Sequence, residues 1–254
     1  MSKLATAERV STELSDNFVF QRSRLAYYEA AKRISGRVLE IGTGSGYGVE
    51  IIAPHATHFT TIDKHTPAAD VITGENIEFI EATVPPLPFA DESFDCVISF
   101  QVIEHIKDDK LFAAEVKRVL RPGGIFIVST PNIAMSLTRN PWHIREYTKE
   151  EFSSLLGTQF SSIEALGVGG DKAIMEYYDK NREGVERITR YDILKLQYRL
   201  PRWMLQIPYD VLNRINRRKL LKENNSLTSS IKMDNYHLEE VSDSSFDLFY
   251  IATK

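Results

Sequence analysis

Cysteine is almost missing from this chain. Cys96 is the single one among 254 residues, so no internal disulfide can form and a reducing, cytoplasmic setting is the expectation. Long apolar runs are missing as well: no stretch approaches the roughly 18 apolar residues of a membrane-spanning helix. The opening residues 1–15 carry Glu8 and Glu13 and lack the apolar centre of a secretory signal. Neither sign of charge dominates, since 31 Lys and Arg stand against 35 Asp and Glu. A dedicated nucleic-acid binder usually has a basic surplus, so that class is disfavoured. A 43% apolar content excludes a disordered chain. The near-neutral total nevertheless hides a split. Residues 172–222 hold 13 basic and 6 acidic side chains, a local +7, and the remainder sums to −11.

Short β-branched runs at 37–41, 58–62, 77–81, 95–100 and 124–130 alternate with helical patterns. That rhythm predicts βαβ units and a parallel sheet with helices on both faces. Residues 111–120 place an apolar stripe at helical spacing, and Arg121-Pro122-Gly123-Gly124 ends that helix and turns into the next strand. Thr148 followed by Glu151 predicts a capped helix over 148–156. Further strands are predicted at 160–168 and 246–252. Residues 1–168 with 246–254 then form the sheet domain, and 169–245 form a helical, basic insertion before the last strand. Within it Trp203, Met204, Ile207, Val211, Leu212 and Ile215 share one helical face, with Arg202, Arg214, Arg217 and Arg218 nearby. Such a segment can serve as a lid or substrate wall, as a plain helical subdomain, or as a peripheral contact with an anionic membrane.

The densest signal is Val38-Leu39-Glu40-Ile41-Gly42-Thr43-Gly44-Ser45-Gly46-Tyr47-Gly48. A strand runs into four alternating glycines, whose missing Cβ atoms let a ligand approach the backbone. A dinucleotide fingerprint would need glycine where Tyr47 stands, and no Gly-Lys-Ser/Thr follows for a P-loop. Asp63 ends the next strand, where a carboxylate can accept both hydroxyls of a ribose. A nucleoside without a pyrophosphate fits this pair.

The Glu-x-Gly-x-Gly-x-Gly run resembles motif I of the class I S-adenosylmethionine-dependent methyltransferases. The resemblance continues through Leu87-Pro88-Phe89 to Asp95, Val102-Ile103-Glu104-His105-Ile106, Leu120-Arg121-Pro122-Gly123-Gly124 and Ser129-Thr130-Pro131-Asn132. The ubiquinone-biosynthesis-like small-molecule enzymes are the most similar type. The resemblance implies a Rossmann-like, doubly wound α/β fold of seven strands, the last antiparallel, and S-adenosyl-L-methionine as cofactor. It implies that Glu40, Gly42, Gly44 and Gly46 line its methionine part and that Thr43 is also a cofactor-binding residue. Asp63 would bind the ribose with Lys64 beside it, and Thr83 and Val84 would meet the adenine. Thr83 departs from the acidic residue many relatives have there. Phe100 and Gln101 would flank the sulfonium, and the His143-to-Thr148 run would contribute to the acceptor pocket.

Methyl transfer from a sulfonium needs alignment above all, and a base only where the acceptor must lose a proton. His105 and His143 are the candidates, and each could equally organise its own loop. Trp142, Tyr147 and Trp203 are candidate substrate contacts. No Cys/His cluster is visible, so no metal is expected. A base-modifying enzyme would carry an Asn/Asp-Pro-Pro-aromatic tetrapeptide where Ser99-Phe100-Gln101-Val102 stands, which disfavours a nucleic-acid acceptor. The expected partner is a small molecule: O-methylation of an amphipathic, phenolic, saccharide or lipid-linked hydroxyl. A cofactor-binding module without catalysis is the alternative.

Overall fold

The apolar runs all enter one sheet, and the alternation along each strand decides which face its side chains cover. The computed structural model describes residues 13–68, 71–192 and 195–254. Residues 1–12, most of the segment read above as lacking a secretory signal, lie outside the described residues. The strands are β1 (Arg37–Ile41), β2 (His58–Asp63), β3 (Ile77–Glu81), β4 (Phe94–Phe100), β5 (Leu120–Pro131), β6 (Ser162–Gly170), β7 (Tyr236–Glu240) and β8 (Asp247–Thr253). Their spatial order is β3-β2-β1-β4-β5-β8-β6-β7. Strands β1 to β5 pair in parallel, and β8 pairs antiparallel with both β5 and β6. The order reverses between β1 and β4, and ligands of doubly wound sheets bind at such a switch point.

The expected Rossmann-like α/β sheet with an antiparallel last strand is present, with one strand more than the seven expected. Strand β7 pairs antiparallel with β6 at the sheet edge. It occupies residues that the sequence reading placed inside the helical insertion. Strand β5 also starts early: Leu120 pairs with Phe94, and the register shifts before Cys96 meets Ile125. Arg121-Pro122-Gly123-Gly124 is therefore an irregularity within the strand.

Helices α1 (Asn17–Ala31), α2 (Val49–Ile52), α3 (Asp109–Val119) and α4 (Lys149–Gly157) cover the sheet. Val38, Cys96 and Ile127 pack on one face with Leu25 and Ala30 of α1. Leu39, Val97 and Phe126 pack on the other with Phe112 of α3 and Phe152 of α4. Two-sided burial explains why these strands read as continuous apolar runs. Helix α4 begins as predicted: the Thr148 hydroxyl accepts from Glu151 N, and the Glu151 carboxylate accepts from Thr148 N.

Residues 172–230 contain α5 (Lys172–Thr189), α6 (Leu196–Arg199), α7 (Arg202–Glu223) and α8 (Asn225–Ser230). Pro208 lies within α7, whose span is unbroken. The helix turns Asn216 and Leu220 inward, where Asn216 donates to Asn181 of α5 at 2.7 Å. Arg217 pairs with Asp16 at 2.6 Å. Asn17 of α1 donates to the carbonyls of Thr228 and Ile231, so the insertion is tied to the first helix of the sheet domain. Among the described residues no helix is long and apolar enough to cross a membrane.

Candidate active site

The loop after β1 is held from below by a line of hydroxyls. Glu40 on β1 is 1% exposed, and its carboxylate accepts from Tyr27 Oη at 2.8 Å and from Thr61 Oγ1 at 2.5 Å. With its proton committed to Glu40, the Thr61 hydroxyl accepts from Thr43 Oγ1 at 2.6 Å. Burial pushes the Glu40 carboxyl up to about 7, against the two hydroxyl donors that pull it down. Glu40 thus anchors the loop from behind and does not face the cleft, a different place from the expected contact with the cofactor's methionine part.

Two glycines of the loop require their residue type. Gly42 has φ +100°, and a Cβ there would lie 2.4 Å from Val102 Cγ2. Gly44 has φ +57°, and a Cβ there would meet nothing within 4 Å. It would instead project into open space on the cleft side, so this backbone can be approached closely by a ligand. Gly44 N donates to Asp63 Oδ2 at 2.9 Å, and His65 N donates to Asp63 Oδ1 at 2.9 Å. Two amides therefore fix the Asp63 carboxylate at the end of β2. Gly46 packs toward Val71 and is not part of the cleft wall.

Above the loop lies a cleft of about 340 Å³. Gly42, Thr43, Gly44, Asp63, Lys64, Thr83, Val84, Phe100 and Gln101, all singled out in the sequence, line it together with His105. Gln101 sits at φ +57°, a left-handed conformation uncommon for a residue with a side chain, and it turns the chain sharply at the end of β4. Among the wall residues that were not foreseen are Ser23 and Tyr27 from α1, and Tyr47 from the loop. The Tyr27 ring meets Tyr47 and Phe100 edge to face at 5.3 and 4.9 Å. Tyr27-Tyr28 in a helix before the first strand was the only available signal, and it does not say which ring points at the sheet.

The cleft closes at its far end on His105. Its Nδ1 lies 3.0 Å from the Trp142 carbonyl; a carbonyl only accepts, so this nitrogen carries its proton. His143 does not line the cleft. It stands behind His105, the two rings edge to face at 5.0 Å, with Nδ1 2.6 Å from Glu146 Oε1 and Nε2 2.8 Å from Asn140 Nδ2. Glu104 fastens this loop to the end of β4: its carbonyl accepts from Ile144 N at 2.7 Å and Arg145 N at 3.2 Å. The Glu104 side chain is itself buried and accepts from Thr130 Oγ1 at 3.1 Å. Burial raises its carboxyl to about 7, with the neighbouring His143 and the Thr130 hydroxyl acting against that rise.

The three expected substrate contacts are placed elsewhere. Tyr147 is buried in the core beneath α3 and α4, donating to Asp109 at 2.9 Å. Trp142 Nε1 donates to Asp210 of α7 at 3.0 Å and so joins the histidine loop to the insertion. Trp203 is 72% exposed on the outer side of α7. None of the three lines the cleft.

Residues 39–128 match the family model of a methyltransferase domain. A Mycolicibacterium smegmatis protein named "Probable S-adenosylmethionine-dependent methyltransferase" is 39% identical over 173 residues, spanning 64% of this chain and 67% of that one. A protein of the same description from Mycobacterium tuberculosis is 39% identical over 59% of this chain and 58% of its own length. The ubiquinone biosynthesis O-methyltransferase of Mesorhizobium japonicum is 32% identical over 41% of this chain and 44% of its own. Among solved structures, an S-adenosylmethionine-dependent methyltransferase from Thermotoga maritima superposes with a TM-score of 0.58 at 16% identity, over 93% of this chain and 92% of that one. Phosphoethanolamine N-methyltransferase 2 of Haemonchus contortus, solved with S-adenosyl-L-methionine, gives 0.55 at 20% identity, over 91% and 51%. At these identities the structural likeness speaks for the fold.

Proposed function

The chain belongs to the S-adenosylmethionine-dependent methyltransferases, and from that premise we propose that it methylates a hydroxyl of a small amphipathic acceptor. The observation that carries this is His105, an imidazole on the cleft wall whose Nδ1 proton is committed to the Trp142 carbonyl. In the neutral ring the lone pair then belongs to Nε2, the state a proton acceptor needs. The O-methyltransferases of ubiquinone biosynthesis among the relatives support oxygen as the accepting atom.

The residues present fit the cofactor. An open backbone at Gly44 beside the oriented Asp63 carboxylate suits a ribose, with Lys64 next to it. Thr83 and Val84 close the adenine end, and Thr83 supplies a hydroxyl where many relatives have a carboxylate. Tyr27, Tyr47 and Phe100 form an aromatic wall toward the methionine end, and electron-rich ring faces attract a cation. When bound, S-adenosylmethionine supplies a methyl group already activated on a sulfonium. The chain's own work is to align the acceptor, exclude water and receive the hydroxyl proton at His105.

The insertion supports the amphipathic character of the acceptor. Helix α7 touches the histidine loop through Trp142 and Asp210 and turns Trp203, Ile207, Val211 and Ile215 to the outside. With Arg214, Arg218 and Lys222 on the same outer face, this helix suits a peripheral contact with an anionic lipid surface. His105→Ala should lower methyl transfer to a phenolic or lipid-linked hydroxyl by about 100-fold or more. Its affinity for S-adenosylhomocysteine should change by no more than a few fold. Equal transfer rates in the variant and the native protein would remove His105 from the chemistry.

A further inference from the structure

Asp247 is a buried carboxylate that none of the chemistry above uses. It opens β8, 4% exposed, between Pro131 of β5 and Val168 of β6, at the same end of the sheet as Gln101. A charge so placed is costly unless it is paired. Its counter-charge comes from α1: Arg22 Nε lies 3.0 Å from Asp247 Oδ2. The Arg22 guanidinium carbon lies 5.7 Å from the ring centres of both Phe18 and Phe246. Neither Arg22 Nε nor Asp247 Oδ1 has a well-aligned hydrogen-bond partner. Burial pushes the Asp247 carboxyl up, and the Arg22 charge and the Gln101 side chain act against that rise. Positions 22, 101 and 247 share no local pattern in the sequence, so only the fold brings the three together.

Gln101 links this pair to the cleft. It lines the cleft wall at φ +57°, and a backbone of that kind persists where its surroundings fix it. Gln101 N donates to Ser129 O at 2.9 Å, and Gln101 Nε2 donates to Ser129 Oγ at 3.4 Å. A carboxylate only accepts, so the NH2 end of the amide is the end that serves Asp247 and Ser129. The carbonyl oxygen, Oε1, is the end left for the cleft.

We propose that Asp247, with Arg22 as its counter-ion, is a positioning residue that fixes the Gln101 amide with its carbonyl oxygen toward the sulfonium of S-adenosylmethionine. The proposal rests on the reading of Phe100 and Gln101 as the sulfonium end of the cleft. A carbonyl oxygen is the negative end of the amide dipole, whereas a flipped amide would present its hydrogens to a positive charge. Polarised C–H groups beside a sulfonium can also donate weakly to such an oxygen. The orientation therefore favours the cationic S-adenosylmethionine over S-adenosylhomocysteine, which is uncharged at sulfur. Because Arg22 and Asp247 cancel, they orient Gln101 without placing a net charge beside the cleft.

Calorimetry of the full chain with each of these two ligands, in the absence of any acceptor, tests the proposal. The quantity read is the dissociation constant of S-adenosylhomocysteine divided by that of S-adenosylmethionine. Gln101→Met keeps the side-chain length and removes the amide, and it should lower this ratio about 5- to 10-fold. Asp247→Leu should lower it to the same extent, and the two changes combined no further, because each removes the same orientation. Asp247→Asn retains one accepting oxygen and should fall between Asp247→Leu and the native chain. Circular dichroism reports folding. If Asp247→Leu fails to fold because Arg22 is left unpaired, Arg22→Met with Asp247→Leu removes both charges and carries the comparison. Folded variants with the native ratio, or with equal losses for both ligands, overturn the proposal. A native chain that binds neither ligand removes the cleft reading and the proposal with it.

Discussion

Glu40 and Ile207 break the ordinary rule of burial in opposite directions. The carboxylate is 1% exposed beneath the glycine loop, and the aliphatic side chain is 77% exposed on α7. In the cleft region polar groups are drawn inward and given partners: Tyr27 and Thr61 for Glu40, Gly44 and His65 amides for Asp63, Thr130 for Glu104. On α7 the polar Asn216 turns inward and a row of apolar residues, Trp203, Ile207, Val211 and Ile215, turns outward. Buried polar groups and exposed apolar patches both cost stability unless something compensates. In the first region the compensation is internal hydrogen bonding that holds a binding loop in place. In the second the apolar row stays exposed, and patches of that kind mark interaction surfaces.

The contrast can be broken most severely at the loop. Gly42→Val combines a left-handed backbone at φ +100° with a Cβ 2.4 Å from Val102 Cγ2. Strain and overpacking together should lower stability by about 2–5 kcal/mol, read as a fall in the thermal midpoint, and binding of S-adenosylhomocysteine should vanish. A native midpoint would mean that the loop is not held as described.

A next, smaller effect concerns pH. Burial raises Glu40 to about 7 from an ordinary 4.5, so between those values the folded chain keeps a proton that the unfolded chain releases. The contribution of this group to stability is therefore complete below about pH 4.5 and lost as pH rises toward 7, by on the order of 3 kcal/mol in all. Urea midpoints at several pH values should show a flatter profile in Glu40→Gln than in the native protein. Parallel profiles would place the proton elsewhere.

At α7 the expected effect on the fold is the smallest. Ile207→Ser and Trp203→Ser should change stability by no more than about 0.5 kcal/mol, because neither side chain is buried. Flotation with phosphatidylglycerol vesicles at low salt should nevertheless fall several-fold in the double variant, and native binding should weaken as salt is added. A native chain that ignores these vesicles loses the membrane contact and leaves the outer stripe to another occupant.

The two regions also differed in how far their sequence could be read. The glycine loop and Asp63 were legible because their geometry is local: a strand end, glycines at set spacing and the end of the next strand. The Thr148–Glu151 cap was legible for the same reason. Direction across a face was harder. Glu40 lies in the loop signature yet points behind it, and Tyr147 sits in the histidine run yet belongs to the core. The α7 stripe has the period of a buried face, but the inward side of the helix is the one with Asn216 and Leu220. Period alone identifies a face, not what it looks at. Strand β7 was missed because Tyr236–Glu240 is short and lies in a polar stretch, and only pairing with β6 makes it a strand.

Calorimetry with S-adenosylhomocysteine on the native chain and on Asp63→Ala bears most directly on the assignment of the cleft. The geometry at Gly44 and Asp63 predicts one equivalent bound by the native chain. In Asp63→Ala the loss of hydrogen bonds to a charged acceptor should weaken binding by about 10- to 100-fold. A native chain that does not bind, or an Asp63→Ala variant that binds as tightly, would contradict it.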